Sequence, residues 1–553
     1  MSKDDISFNL MDRGWIPVTM LTDGSFRKLS IIEVFEQADN IRNIEGDIPL
    51  QRFSLNRLLI AILYGVYGNG LEVDDWRYLF ERGPRDPDTW QRIRSYCDMY
   101  HDRFDLFDGI APFYQVAGLH TQKNEVSGLE KLVLDVPSGK PFFTTRMGEG
   151  LKSMEAAEAA RWVVTVQAYD ASGIKSGAVG DPRVKGGKGY PIGVAWTGHL
   201  GGYLVEGKNL WQTLMLNFVS SKVFKLDESA MRWADDDCPI WERSPMNEQT
   251  AKGLDQPMDR TADKGFFHGP ATLLTWPSRR ILLAHQGEIV SGVLICNGDR
   301  LKPQNAHKFE TMSGWRRSAP QEKALKLPRV YMPRKHDPSR ALWRGLPTLT
   351  SGEHVSAQEG SAYLRPLSLE WLAQTCPKNI PVRLHAFGIE YGNQEAVIES
   401  TIDDVLDLHL VVLTSINPHM GEMLCDAVDI TDLGIMELRN LASNIARAGG
   451  LPTDPPRQRV TEAGYTAFDR EFRQWVRGIE SDEDLTALLQ QWKDIARRIL
   501  LRLGERCAAQ ASPRAIVGRD ISIKKATGEM STTHYDVALA EIWYRSKIKK
   551  IVS

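Results

Sequence analysis

Cysteine is scarce in this sequence and nowhere paired. Six cysteines in 553 residues stand at 97, 238, 296, 376, 425 and 507, with no CxxC among them. That spacing offers neither a disulfide framework nor a cysteine-based zinc site, and it fits thiols kept reduced in a cytoplasm. Long apolar runs are missing too. The longest worth testing, Leu58 to Tyr67, falls well short of the ~20 residues that a membrane span needs. The opening MSKDDISFNL is polar and acidic, so no secretory signal is expected there. A large charge of one sign is lacking: the formal net charge of −3 argues against a protein that coats nucleic acid nonspecifically, yet leaves room for local basic patches. Familiar catalytic signatures are absent as well. There is no HExxH, no EF-hand loop and no GxSxG, and Gly187-Lys188 is no P-loop, because no Gly lies five residues before it and Gly189 follows the lysine.

What is present is an ordinary globular composition, 42% apolar and 25% charged. The length exceeds the ~250–300 residues at which single cores stop growing, so two or three domains are expected. From residue 1 to about 380, short apolar runs (Trp15–Met20, Ile281–Ala284, Gly292–Ile295) read as strands between Gly, Pro and Asp turns. Gln51–Tyr67 and Met154–Val166 read as helices between them. Farther on the pattern changes: Leu485, Leu488, Leu489, Trp492, Ile495, Ala496, Ile499, Leu500 and Leu503 recur at helical spacing. Ser481-Asp482-Glu483-Asp484 reads as the capping-box-like start of that helix. Similar periodicity over Ile402–Leu413, Met436–Ala448, Tyr465–Ile479 and His534–Lys549 predicts further helices, with Leu451–Arg457 and Ala511–Met530 as loops. The expected fold class is therefore α+β: a large irregular mixed domain over 1–395, then an antiparallel four-helix bundle over 396–553.

The chemistry-bearing residues point to binding. His101-Asp102 and His336-Asp337 are lone dipeptides without a further ligand cluster, and Asp235-Asp236-Asp237 is an isolated acidic run; solvated loops explain all three best. No metal and no cofactor are expected. Basic stretches are more informative. Ser172–Pro191 has six glycines in twenty residues, and Lys175, Arg183, Lys185 and Lys188 outnumber Asp181. Glycine lets a backbone approach another surface closely, and bare N–H groups beside cations suit a phosphate or a groove wall, though a solvated flexible loop has the same composition. Leu301–Arg344 is stronger, with eleven Lys or Arg against three acids and Trp315, Tyr331 and Trp343 interleaved. Such a local excess favours an anionic polymer, with the aromatics either stacking on bases or packing inside. The C-terminal Arg545, Lys547, Lys549 and Lys550 form a weaker patch.

Several phrases, taken in order, resemble the CasA family, the large subunit of the type I-E CRISPR Cascade complex: Asn9-Leu-Met-Asp-Arg-Gly-Trp-Ile-Pro-Val18, Pro112-Phe113-Tyr114-Gln115, Glu130-Lys131-Leu132, the glycine loop and the helical C-terminal region. The resemblance implies a non-enzymatic, cytoplasmic protein of antiviral defence. Its partners would be guide RNA, the other Cascade subunits, double-stranded target DNA and the separate helicase-nuclease of the system, with no membrane and no cofactor. It would read the protospacer-adjacent motif through the minor groove, help to start strand separation and R-loop formation, and support recruitment of the nuclease. By the same resemblance the glycine loop is Gly173, Ile174, Lys175, Ser176 and Gly177, the groove-reading lysine is Lys308, and the wedge is Gln394 with Asn393 beside it. Phe143, Thr144 and Thr145 occupy the place of the family's RNA-handle loop, which there carries Phe-Val-Asn. Two other readings stay open: a metal-dependent nuclease, and a purely structural RNA-binding end-cap.

Overall fold

A computed structural model describes residues 6–136, 148–224, 233–250, 254, 256–258, 269–350, 354–355, 362–376, 379–414, 418–480, 484–524 and 530–553. The chain divides into two compact units, Met1–Arg340 with Gly352–Val405, and Ala341–Ser351 with Leu406–Ser553. The sequence reading drew one boundary, at 395/396; here the division falls at 405/406, and a short upstream stretch joins the second unit. Among the described residues no helix is long and apolar enough to cross a membrane.

The first unit opens with a three-stranded antiparallel sheet in the order β2-β1-β3, formed by β1 (Ile16–Met20), β2 (Phe26–Leu29) and β3 (Ile41–Ile44). Helix α1 (Pro49–Tyr67) follows, with proline at its start, where the missing N–H costs nothing. Residues from Leu50 to Tyr64 are buried on nearly every face of α1, which makes it a core helix rather than an amphipathic surface one. Helix α2 (Ala156–Tyr169) packs against it. After α2 come β4 (Gly202–Glu206), β5 (Arg279–Gln286) and β6 (Ile289–Asn297). β5 and β6 form a hairpin from Arg279↔Asn297 to Gln286↔Ile289.

The last strands of this unit are β7 (Pro381–Tyr391) and β8 (Ile398–His409), the final four residues of which count with the second unit, in a sheet ordered β8-β7-β4. Here a correction is due: Ile402–Leu413 was expected to be helical, but most of it is β8. Its burial alternates, ending on Leu406 and Leu408 two residues apart. Short apolar runs fit both periods, and the β-branched Ile398, Thr401, Ile402 and Val405 favour the strand.

The second unit is the expected helical bundle. Its four long helices are α3 (Pro418–Gly449), α4 (Asp454–Arg477), α5 (Leu485–Ala509) and α6 (Val537–Ile551). α3 packs on all three others. Phe468, Phe472, Trp475 and Trp492 meet in the middle, with Trp343 stacked on Phe472 at 4.4 Å. Three boundaries differ from expectation. Pro455 and Pro456 lie in the first turn of α4 rather than in a loop, where proline is tolerated. The stretch read as a loop, Ala511–Met530, holds β9 (Arg519–Lys524), and its hairpin partner β10 (Met530–Tyr535) takes the first two residues of the expected helix His534–Lys549, so that Asp536 caps α6 after it. Ser481 lies outside the described residues; the observed N-cap of α5 is Asp484, which accepts from Ala487 N at 3.1 Å.

Candidate nucleic-acid interface

The glycine loop starts where α2 ends. Asp170 closes the helix and is buried, and its carboxylate receives Arg279 of β5 and, at 2.6 Å, Lys175 of the loop. Burial pushes the Asp170 carboxyl up, but Lys175 and Arg279 outweigh burial and hold it below the usual range. Burial also pulls the Lys175 ammonium down. Lys175 is thus an anchor whose side chain is only 16% exposed, while Ile174 beside it stands 59% exposed.

Backbone pairing fixes the loop further. Lys175 and Ser176 pair with Gly189 and Lys188, and Ser176 also runs parallel to Cys296 of β6. Two glycines are required here. Gly173 has φ +129°, a region that disfavours side chains, and a Cβ on Gly177 would lie 2.6 Å from the Gly187 carbonyl oxygen.

The tip of the β7–β8 hairpin, residues 392–397, comes to the same place. Ser172 N donates to the Glu395 carbonyl at 2.8 Å, which joins loop to tip directly. The tip is a tight turn closed by Gly392 N to Val397 O at 2.8 Å and Glu395 N to Gly392 O at 2.9 Å. Gln394 sits at φ 55°, ψ 22°, left-handed for a residue with a side chain, and Asn393 and Gln394 are both exposed. Below the tip, Tyr391 donates its hydroxyl to the Tyr169 carbonyl at 2.6 Å. Lys335 lies 3.8 Å from Glu395 and 5.6 Å from the centre of the Tyr391 ring. Loop, β8 and residues 127–136 together border a cavity of about 500 Å³.

The structure therefore brings Gly173–Gly177 together with Asn393 and Gln394. Lys308 stands elsewhere, half-buried at the end of a single turn, with its carbonyl accepting from Trp233 Nε1 at 2.7 Å. Among the described residues Lys308 shares no hydrogen bond or ion pair with either the loop or the tip. Phe143, Thr144 and Thr145 lie outside the described residues. Sequence reasoning missed Asp170 and Arg279 as the loop's anchors, since no spacing rule links positions 109 residues apart. It also missed Lys335, whose place in the basic stretch was the only signal.

In that stretch the aromatics pack rather than present faces: Trp315, Tyr331 and Trp343 are all buried. Arg316, Arg317, Lys323, Lys326 and Arg329 are exposed. Of the three acids, Glu310 is consumed inside, in a bidentate pair with Arg57 at 2.8 and 2.9 Å, and Glu322 is paired with Arg317 at 2.7 Å, which leaves Arg316, Lys323, Lys326 and Arg329 as exposed positive charge.

The acidic run and one of the His-Asp dipeptides are solvated only in part: Asp235, Asp236 and Asp337 are exposed, whereas Asp237 and the half-buried His336 are held by the fold. Asp237 is buried and accepts from Ala271 N, Thr272 N and Thr272 Oγ1 at the start of a short helix. His336 packs edge-on against Tyr203 with Nε2 3.0 Å from the Gly202 carbonyl, and burial pushes its pKa down to about 4. His101 pairs with Asp12 at 2.6 Å. Among the described residues no cluster of His, Cys, Asp or Glu could hold a metal ion.

Comparison with known proteins agrees with this architecture. A CasA/Cse1 protein of Thermus thermophilus is 31% identical over 288 residues, 51% of this chain, and the chain spans about half (50%) of that curated relative's length. The crystal structure of Thermobifida fusca Cse1 superposes with a TM-score of 0.86 at 39% identity, covering 100% of this chain and 99% of the other. A chain of a CRISPR RNA-guided surveillance complex shares the fold at a TM-score of 0.66 and 16% identity, covering 91% of this chain and 99% of the other. The model of the CRISPR-associated protein Cse1 family matches residues 9–503. With more than half of its length matched, the chain belongs to the Cse1 family.

Proposed function

We propose that this chain is the large subunit of a CRISPR RNA-guided surveillance complex, and that it reads the protospacer-adjacent motif in duplex DNA and starts strand separation without making or breaking a covalent bond. One observation carries the reading: the hydrogen bond from Ser172 N to Glu395 O, which sets a glycine loop with Ile174 exposed at its bend beside a turn with Asn393 and Gln394 exposed. A loop of this kind approaches a minor groove with backbone N–H groups and the Ile174 side chain, while Lys175 stays bound to Asp170. Gln394 projects from the adjoining turn as the wedge, with Asn393 beside it, and Lys308 adds a cation from a separate element. The exposed Arg316, Lys323, Lys326 and Arg329 supply sequence-independent attraction to phosphates.

The energetics suit this division of work. Exchanging a DNA duplex for an RNA–DNA hybrid is nearly balanced, so the first steps need a bias. Inserting a side chain beside a base pair costs on the order of a few kcal/mol, which groove and phosphate contacts offset. A minor-groove reader sees chiefly A·T against G·C, so it tolerates several motifs. Strand cutting then falls to a separate helicase-nuclease recruited to the complex, and guide RNA and neighbouring subunits hold the chain in place.

The test is binding and opening of matched duplexes that differ only in the adjacent motif, by guide-loaded complex carrying wild type or Gln394→Ala. Wild type should discriminate among motifs, and the variant should assemble and bind yet lose opening. Equal binding of every duplex by both would replace this reading with the structural end-cap, and metal-dependent cleavage by the chain alone would replace it with the nuclease.

A further inference from the structure

A charged group lies buried in the β8-β7-β4 sheet, outside the surface described above. His385 of β7 is 3% exposed. Its Nδ1 is 2.8 Å from Glu206 Oε1 on β4, and its Nε2 hydrogen-bonds Asp403 Oδ1 on β8. A neutral imidazole carries one N–H, and its second nitrogen presents a lone pair that a carboxylate repels. Carboxylates at both nitrogens therefore call for the imidazolium.

Two arginines share the Glu206 carboxylate. Arg52 of α1 reaches the same Glu206 oxygen at 2.7 Å, and Arg383 stands opposite Glu206 in the β4–β7 register. The charged groups facing His385 are thus Arg52 from α1, Glu206 from β4, Arg383 from its own strand and Asp403 from β8. The imidazole ring stacks on Phe387 at 3.9 Å, and Phe387 stacks on Phe53 of α1 at 5.0 Å.

His385 and Asp403 stand on the two strands that carry the 392–397 tip. We propose that His385, in its doubly protonated form, is a positioning residue that clamps β8 and β7 to β4 and so sets the aim of Asn393 and Gln394. The inference rests on the reading of Gln394 given above. Burial pulls the His385 pKa down, but its hydrogen bonds to Asp403 and Glu206 win and raise it above the ordinary histidine value. The clamp is therefore complete at and below that ordinary value and is lost as pH rises through the raised one. When the proton leaves, the remaining N–H serves buried Glu206, while Asp403, 45% exposed, turns to water.

The test compares guide-loaded complexes carrying wild type or Asp403→Asn, with opening rates of a matched duplex followed from about pH 6 to about pH 9. The carboxamide that Asp403→Asn introduces can donate to Nε2, so a neutral ring then satisfies both neighbours. Wild-type opening should fall above the raised His385 value, approaching about tenfold per pH unit for a single proton, and Asp403→Asn should remove that fall. Identical profiles overturn the clamp. A second measurement is the imidazole NMR titration of the full chain labelled at histidine, with His385→Gln assigning the signal. His385 should titrate above the ordinary value in wild type and lower in Asp403→Asn; titration at or below the ordinary value in wild type overturns the proposal. Gln394→Ala, run beside them, separates the two ideas: if it opens duplex like wild type, the wedge reading fails, and the NMR titration alone then decides the clamp.

Discussion

The two units differ in what they bury beside their apolar cores. Both bury rings and aliphatic side chains, Trp15, Trp76 and Trp162 of the first among them, but in the first full burial falls on charged pairs as well: Arg57 with Glu310 at 2% and 1% side-chain exposure, Arg279 with Asp170 at 1% and 7%. In the second, it falls on rings and aliphatic side chains, Trp343, Phe468, Phe472, Trp492 and Leu500 among them. Its most buried described ion pair, Arg344 with Asp432, keeps 12% and 19% exposure. Long helices are specified by a repeating apolar stripe that any neighbour helix can cover. Short strands and loops have no such repeat, so a few directional bonds between distant positions must fix them. Arg57 and Glu310 are 253 residues apart. The first unit, which carries the glycine loop and the turn, is the one built this way.

The sharpest test of that contrast removes one partner from each kind of pair. Glu310→Ala leaves the Arg57 guanidinium buried without its counter-charge and strips Trp196 Nε1 of its acceptor. A loss of about 3–5 kcal/mol is expected in chemical denaturation. Arg57→Met combined with Glu310→Leu removes the charge problem and should recover part of that loss, the rest, roughly 1–3 kcal/mol, remaining with the unpaired Trp196 Nε1 and Met312 N groups. Asp432→Ala in the second unit, at a half-screened pair, should cost about 1 kcal/mol or less. A loss at Asp432 as large as that at Glu310 would erase the distinction between the units.

The same contrast explains what was legible in the sequence. Leu485–Leu503 announced α5 because its stripe is local, whereas Gln51–Tyr67, apolar on nearly every face, announced α1 by its length. β8 was misread because Ile402, Val405 and Leu406 satisfy a helical spacing while Ile402, Leu406 and Leu408 satisfy an alternating one, and only pairing with β7 selects the strand. The β9–β10 hairpin was missed because Arg519–Lys524 and Met530–Tyr535 have too few apolar residues to show a period. For the site, glycine content marked the loop and the resemblance marked the turn. Their meeting through Ser172 and Glu395, the Asp170 anchor and the His385 clamp are contacts between positions far apart in the chain, and no local pattern encodes them.

A smaller effect should separate stability from function at the turn. Gln394 holds φ 55°, a conformation that costs a residue with a side chain roughly 1–2 kcal/mol. Gln394→Gly relieves that strain, offset in part by the greater freedom of glycine in the unfolded chain. The expected result is a gain of about 0.5–1 kcal/mol in denaturation together with loss of duplex opening. If Gln394→Gly were destabilising, the turn would owe its shape to the glutamine side chain, and backbone strain would not be the mark of its role.

The most local effect belongs to the helical unit and tests whether its ends matter as little as its repeating core implies. Asp484 caps α5 by accepting from Ala487 N at 3.1 Å, and its backbone is itself left-handed, at φ 50°. Asp484→Ala removes the acceptor and should cost about 1 kcal/mol. Asp484→Asn keeps an acceptor and tolerates the left-handed backbone, so it should cost only a fraction of that. Because Trp492, Ala496, Ile499 and Leu500 hold the rest of the helix in the core, Asp484→Ala should quicken hydrogen exchange in the first turn of α5 and leave protection around Leu500 unchanged. Loss of protection along the whole helix would instead mean that the second unit, like the first, depends on single directional contacts.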